Sequence, residues 1–93
     1  MTIPNNKDIL FMQLVMQNQQ LALMAMGKIS NPELQGIEKN LDLAKMVIDT
    51  LDMLVEKTKG NLSEYEEKYL NDTIKELKLE YVNELGKDQE NKA

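Results

Sequence analysis

The chain has 93 residues, of which 42% are apolar and 29% are charged, and its formal net charge is −5. A chain of this length forms one small domain of marginal stability, because about a third of its unfolded surface stays exposed after folding. It contains no cysteine and no histidine, and all 11 of its cationic side chains are lysine. These absences exclude disulfides, Cys/His zinc sites and histidine-dependent triads, so we expect neither enzyme activity nor a cofactor.

The acidic charge balance also bears on partners. Nucleic acids and anionic membranes select basic surfaces, so we expect this chain to bind neither. Residues 9–27 carry no charge, which invites comparison with a membrane span of about 20 apolar residues. Four consecutive amides at positions 17–20 would be costly in a bilayer, and Lys7 followed by Asp8 does not fit a secretory signal. We therefore expect a cytoplasmic protein.

The first predicted helix covers residues 6–27. Asn5 or Asn6 is suited to cap its free N–H groups, and Asp8 complements the positive end of the helix dipole. Gly27 stands where a left-handed residue commonly ends a helix. The segment 29–39 that follows contains Asn-Pro and a glycine, which predict a turn. Its apolar residues Ile29, Leu34 and Ile37 predict that this loop packs against the helices.

The second and third helices are predicted over residues 40–59 and 64–85. Gly60 ends the second helix, and Ser63 with Glu66 has the spacing of a capping box that begins the third. Because few residues separate these helices, we expect an antiparallel hairpin. Gly86 is expected to stop the third helix. The predicted organisation is a single helical domain over 1–86 and a disordered tail over 87–93.

The apolar patterns of the three helices differ. The second and third helices each have one apolar face, whereas apolar residues surround almost the whole first helix, and such a helix must be covered on most sides. We therefore expect an all-α, three-helix unit that assembles as a helical-bundle homodimer through its first helix. Leu14 and Val15 should face different neighbours, one the hairpin and the other a second chain. The expected interface residues are Leu10, Phe11, Leu14, Val15, Asn18, Leu21, Ala22, Met24 and Ala25.

An alternative function uses the methionines of the first helix, at positions 12, 16, 24 and 26. Flexible methionine side chains suit surfaces that accept varied peptides, as in an adaptor or chaperone-like protein. Methionine in an apolar helix is more often ordinary core, so self-association is the preferred interpretation. Light scattering separates the two, since the adaptor is expected to be a monomer that binds a hydrophobic dye.

Two acidic surfaces have alternative interpretations. Asp49, Asp52 and Glu56 lie on one face of the second helix and have the ligand type of a Mg²⁺ or Ca²⁺ site, but a solvated face neutralised by Lys45 is the preferred interpretation. The third helix carries acids four residues apart at positions 72, 76, 80 and 84. We interpret them as a solvated ridge rather than a surface for a basic partner, and expect Glu80→Lys to be nearly neutral.

The order of several short motifs resembles a known family. The motifs are Asn31-Pro32-Glu33, Leu41-Asp42-Leu43-Ala44-Lys45, Ile48 to Leu54, Glu56 to Ser63, Glu66-Glu67-Lys68 and Leu77 to Val82. In this order the sequence resembles the bacterial family known as domain of unknown function 1844, over about residues 9 to 82, and the run Glu56 to Ser63 is its most specific part. The resemblance implies a small helical bacterial protein, and it implies no catalytic or binding residue.

Overall fold

The computed structural model describes residues 4–28 and 39–91 of the chain. They form three helices, α1 (Asn6–Ala25), α2 (Leu41–Lys57) and α3 (Glu64–Asn91), and no strand. The prediction of an all-α unit with three helices is confirmed. The loop 29–38, whose apolar residues were expected to pack down, lies outside the described residues.

The helix starts follow the local signals in the sequence. Asn5 caps α1, accepting a hydrogen bond from the Asp8 amide at 2.9 Å, while the Asp8 carboxylate accepts one from the Asn5 amide at 3.0 Å. Ser63 and Glu66 form the same reciprocal pair at α3, at 2.7 and 3.2 Å. Asn40 caps α2 through the amide of Leu43 at 3.0 Å. These bonds satisfy donors that the first helical turn leaves free.

Two glycines set the predicted ends of α1 and α2. Gly27 has φ +77° and Gly60 has φ +84°, a left-handed conformation that costs glycine little. After α1 the amide of Lys28 donates to the Leu23 carbonyl at 2.8 Å and that of Gly27 to the Met24 carbonyl at 3.0 Å. This pair of bonds is a Schellman motif, which satisfies carbonyls at the helix end.

The end predicted for α3 is wrong. The helix passes through Gly86, which does not adopt positive φ, and continues to Asn91. A glycine ends a helix when the following residues turn back onto it. Here polar residues follow, and Lys87 instead forms an ion pair at 3.2 Å with Glu84 on the preceding turn. The division into a domain over 1–86 and a tail over 87–93 stays a prediction.

The three helices form an up-down-up bundle. The N-terminal ends of α1 and α3 meet where the Ser63 hydroxyl donates to Asp8 Oδ1 at 2.5 Å. At the other end the amide of Asn40, before α2, donates to the Ala25 carbonyl at 2.7 Å. Hence α1 and α3 run parallel, and α2 runs antiparallel to both, as expected for the α2–α3 hairpin.

One apolar core lies between the helices, and each helix packs on both others. Eleven buried apolar side chains form it: Val15, Ala22, Ala25, Met26, Ala44, Val47, Ile48, Leu51, Leu70, Ile74 and Leu77. The part of α1 that faces this core is built largely from small residues, which lets the helices approach closely. As a result, most of the larger apolar side chains of α1 remain outside the core.

Candidate functional site

The outer surface of α1 carries a row of apolar side chains. Leu10 is 65% exposed, Leu14 44% and Leu21 39%. With Gln17, which is exposed, and Met24, which is half-buried, they form the outer stripe of α1, defined here as residues 10, 14, 17, 21 and 24. The spacing of four, three, four and three residues keeps all five on one line along the helix, which is the seam of a heptad repeat.

The outer stripe faces away from α3. Asp8 marks the α3 side of α1 because its carboxylate accepts the Ser63 hydroxyl. At about 100° per residue, Leu10, Leu14 and Leu21 lie roughly 120–160° around the helix from Asp8. Ala25, which is buried, lies between the stripe and the core. The stripe therefore lies on the part of α1 that is turned away from the core.

Of the nine expected interface residues, only part is accessible. Three are exposed (Leu10, Leu14 and Leu21), three are half-buried (Phe11, Asn18 and Met24) and three are buried in the core of the single chain (Val15, Ala22 and Ala25). The neighbours Leu14 and Val15 do face different sides, and Val15, with no exposed surface, is the one that meets the hairpin. Leu14 is the one left for a second chain.

α2 exposes two apolar side chains that the sequence patterns did not single out. Met46 and Met53 are exposed one heptad apart, with Thr50 between them. Asp52 marks the α3 side of α2, because it pairs with Lys78 at 3.0 Å. Met46 and Met53 lie about 100–120° around α2 from Asp52. They therefore lie on the outer face of α2, opposite its buried residues and beside the Lys45–Asp49 pair. The apolar periodicity of a helix sequence cannot identify such residues, because it indicates only the buried face of the helix.

The outer stripe contains no charge. No charged residue occurs between Ile9 and Gly27, whereas the outer faces of α2 and α3 carry ion pairs such as Lys45–Asp49 and Lys68–Asp72 at 2.8 and 2.9 Å. A solvated helix face normally carries charges. An uncharged, leucine-containing face is instead typical of a surface that another protein covers.

The methionines of α1 do not share one surface. Met26 is buried in the core, Met16 is exposed, and Met12 and Met24 are half-buried. On the helix, Met16 and Met24 are separated by about 80°. At most three of the four could contact a bound peptide while the core stays closed.

The acids of α2 are largely engaged in ion pairs. Asp49 pairs with Lys45 and Asp52 with Lys78. Within residues 4–28 and 39–91 no group of three or more acidic side chains has the arrangement of a metal site. The exposed Asp49 pair contributes little to stability, as is usual for surface ion pairs.

The interpretation of Glu80 and Glu84 as a solvated ridge is wrong. Glu84 is only 5% exposed and forms ion pairs with Lys28 at 2.7 Å, Lys39 at 2.6 Å and Lys87 at 3.2 Å. Lys28 also contacts Glu80, at 3.1 Å. The ammonium groups, that of Lys28 foremost, hold the pKa of Glu84 at about 2. In turn Glu84 and then Glu80 raise the pKa of Lys28. These pairs connect three segments distant in sequence, which no spacing along α3 reveals.

Comparison with known proteins identifies the family of the chain. No curated protein and no solved structure matches the chain. Within the described residues no helix is both long and apolar enough to cross a membrane. The sequence model of the family described as Domain of unknown function (DUF1844) matches residues 8–83, which include almost all of α1, the whole of α2 and most of α3. The suspected resemblance is confirmed, and the chain belongs to this domain-of-unknown-function family, DUF1844.

Proposed function

We propose that this protein is a non-enzymatic interaction module that associates with a second copy of itself through the outer stripe of α1. One observation carries the proposal: Leu10, Leu14 and Leu21 are exposed along one line on a helix surface without charge. Burying a fully exposed leucine contributes about 1.5–3 kcal/mol, and Leu10, Leu14 and Leu21 contribute in proportion to the fraction that is still exposed in the single chain. A second copy supplies an identical stripe, so one surface serves both partners, as in isologous dimers.

Marginal size supports the same proposal. A three-helix bundle of this length has a small core, and oligomerisation is a common way for small domains to gain buried apolar area. Stable interfaces bury roughly 1,200–2,000 Å² in total, so each copy would contribute about half of that area through α1 and the surface around it.

The test compares two leucines that are equally exposed in the single chain. Leu10 is 65% exposed on the outer stripe, and Leu79 is 63% exposed on α3 among charged side chains such as Lys75 and Glu76. Glutamate at either position is solvated in a monomer, so both Leu10→Glu and Leu79→Glu should remain folded. In the proposed dimer only Leu10→Glu places a charge in an apolar contact.

Light scattering after size-exclusion chromatography measures the masses. We expect a dimer for the unmodified chain and for Leu79→Glu, and a monomer with unchanged helix content by circular dichroism for Leu10→Glu. A monomeric unmodified chain, or an equally dimeric Leu10→Glu protein, would overturn the proposal. A monomer that binds a hydrophobic dye through this surface would favour the adaptor function instead.

A further inference from the structure

The outer stripe of α1 has a near-symmetrical order about its centre. Counted from Gln17, Leu14 and Leu21 lie three residues before and four after, and Leu10 and Met24 lie seven residues before and after. In an antiparallel pair, Leu14 of each chain therefore lies opposite Leu21 of the other next to the centre, and Leu10 lies opposite Met24 at each end. We infer that the two α1 helices pair antiparallel, with Gln17 of each chain at the two-fold axis. This inference rests on the proposed self-association.

Lys7 decides against the parallel arrangement. It precedes Leu10 by three residues and so continues the line of the stripe, and it is exposed. Among the described residues it forms no ion pair. In a parallel, in-register pair the two Lys7 ammonium groups would face each other on this line, which is unfavourable between like charges.

The antiparallel arrangement gives Lys7 a favourable environment. It brings Lys7 beside the C-terminal end of the partner's α1, near the turn at Gly27. The last turn of α1 contains no basic residue, and the ammonium groups of Lys28 and Lys39, which lie next to it, are paired with Glu84. The negative dipole end can therefore accept Lys7 of the other chain as a further cation, and the opposed helix dipoles also favour the pairing.

Gln17 fixes the register of the pair. It is the one polar member of the outer stripe, and its amide has no hydrogen-bond partner within residues 4–28 and 39–91. At the two-fold axis two glutamine amides meet, and each donates to the other's carbonyl oxygen. A single polar residue in an apolar seam specifies register in this way, because any shift leaves a buried amide unpaired.

The absence of native cysteine makes thiol cross-linking a direct test. The single variants Gln17→Cys, Leu10→Cys and Met24→Cys are made in the full chain and oxidised. Antiparallel pairing predicts a disulfide dimer for Gln17→Cys and none for Leu10→Cys or Met24→Cys alone, whose equivalent positions lie about 20 Å apart along the helix. Mixing Leu10→Cys with Met24→Cys chains should produce the cross-linked dimer as the main product.

The cross-linking results distinguish the helix orientation from self-association itself. Efficient cross-linking of Leu10→Cys with itself would overturn antiparallel pairing while leaving self-association intact. Failure of every variant, together with a monomeric mass for the unmodified chain, would overturn the proposed function itself. A second measurement uses Lys7→Gln. Antiparallel pairing predicts dimerisation weakened about two- to five-fold at low salt, whereas tighter dimerisation would show that the two Lys7 side chains repel each other.

Discussion

The Ser63 hydroxyl donates a hydrogen bond of 2.5 Å to Asp8 Oδ1 across 55 residues of sequence. Each of these residues also belongs to a capping box, so the bond joins the first turns of α1 and α3. Ser63 Oγ accepts a hydrogen bond from the Glu66 amide and at the same time donates its own hydroxyl hydrogen bond to Asp8. Asp8 is largely buried. The parallel arrangement of α1 and α3 is thus specified by helix caps as well as by the core.

The first prediction concerns this bond. Ser63→Ala removes a cap and also leaves Asp8 Oδ1 without its donor, so it should lower the free energy of unfolding by about 2–3 kcal/mol. Asn40→Ala is the control, because the Asn40 side chain caps α2 on the surface, while its backbone bond to Ala25 is kept in the variant, and it should cost about 1 kcal/mol. Urea denaturation measures both. Equal losses would show that the bond to Asp8 adds nothing to the cap.

The second prediction is a pH dependence that arises from Glu84. Its pKa is about 2 in the folded chain, against an ordinary value of 4.5. A carboxyl group whose pKa is lowered by folding stabilises the fold above its unfolded pKa, and this contribution is lost as the pH falls from about 4.5 toward 2. Glu84→Gln should therefore lower the melting temperature at pH 7, and most of its difference from the unmodified chain should be lost by pH 2.

Asp49→Asn is the control for this measurement. Asp49 forms an exposed i, i+4 pair with Lys45, and such pairs contribute about 0.3–0.5 kcal/mol. Its substitution should change the melting temperature at pH 7 far less than Glu84→Gln does. A Glu84→Gln deficit that persists unchanged at pH 2 would mean that the carboxylate charge is not its cause.

The third prediction contrasts two exposed glycines. A Cβ atom added at Gly60 or Gly86 meets nothing within 4 Å, so only the backbone conformation differs. Gly60→Ala forces alanine into positive φ and should destabilise the chain by about 1–2 kcal/mol. Gly86→Ala lies within α3 and should stabilise it by up to about 0.5–1 kcal/mol. Thermal denaturation compares them, and destabilisation by Gly86→Ala would contradict a helix through residue 86.

The sequence is informative where signals are local. The capping residues Asn5, Ser63 and Glu66 act within one helical turn, so their spacing alone predicts where α1 and α3 begin. The continuation of α3 beyond Gly86 is different, because a glycine permits a helix end without requiring one. The ion pairs of Glu84 depend on how the ends of all three helices meet. Likewise, periodicity shows that α1 is apolar all round, but only packing decides that Val15 is core and Leu14 is surface.

The fourth prediction uses these two neighbours. Val15 has no exposed surface and Leu14 is 44% exposed. Val15→Glu buries an unpaired charge within the single chain and should prevent stable folding. Leu14→Glu should keep the helix content by circular dichroism and lose only self-association. Should both variants unfold alike, Leu14 would be part of the core rather than of a surface available to a partner.

Sedimentation equilibrium of the unmodified chain over a range of concentrations tests self-association most directly. The chain mass is 10.7 kDa. Pairing through the outer stripe of α1 predicts a mass that rises with concentration and levels off at twice the chain mass. A mass that stays at 10.7 kDa throughout would contradict the account.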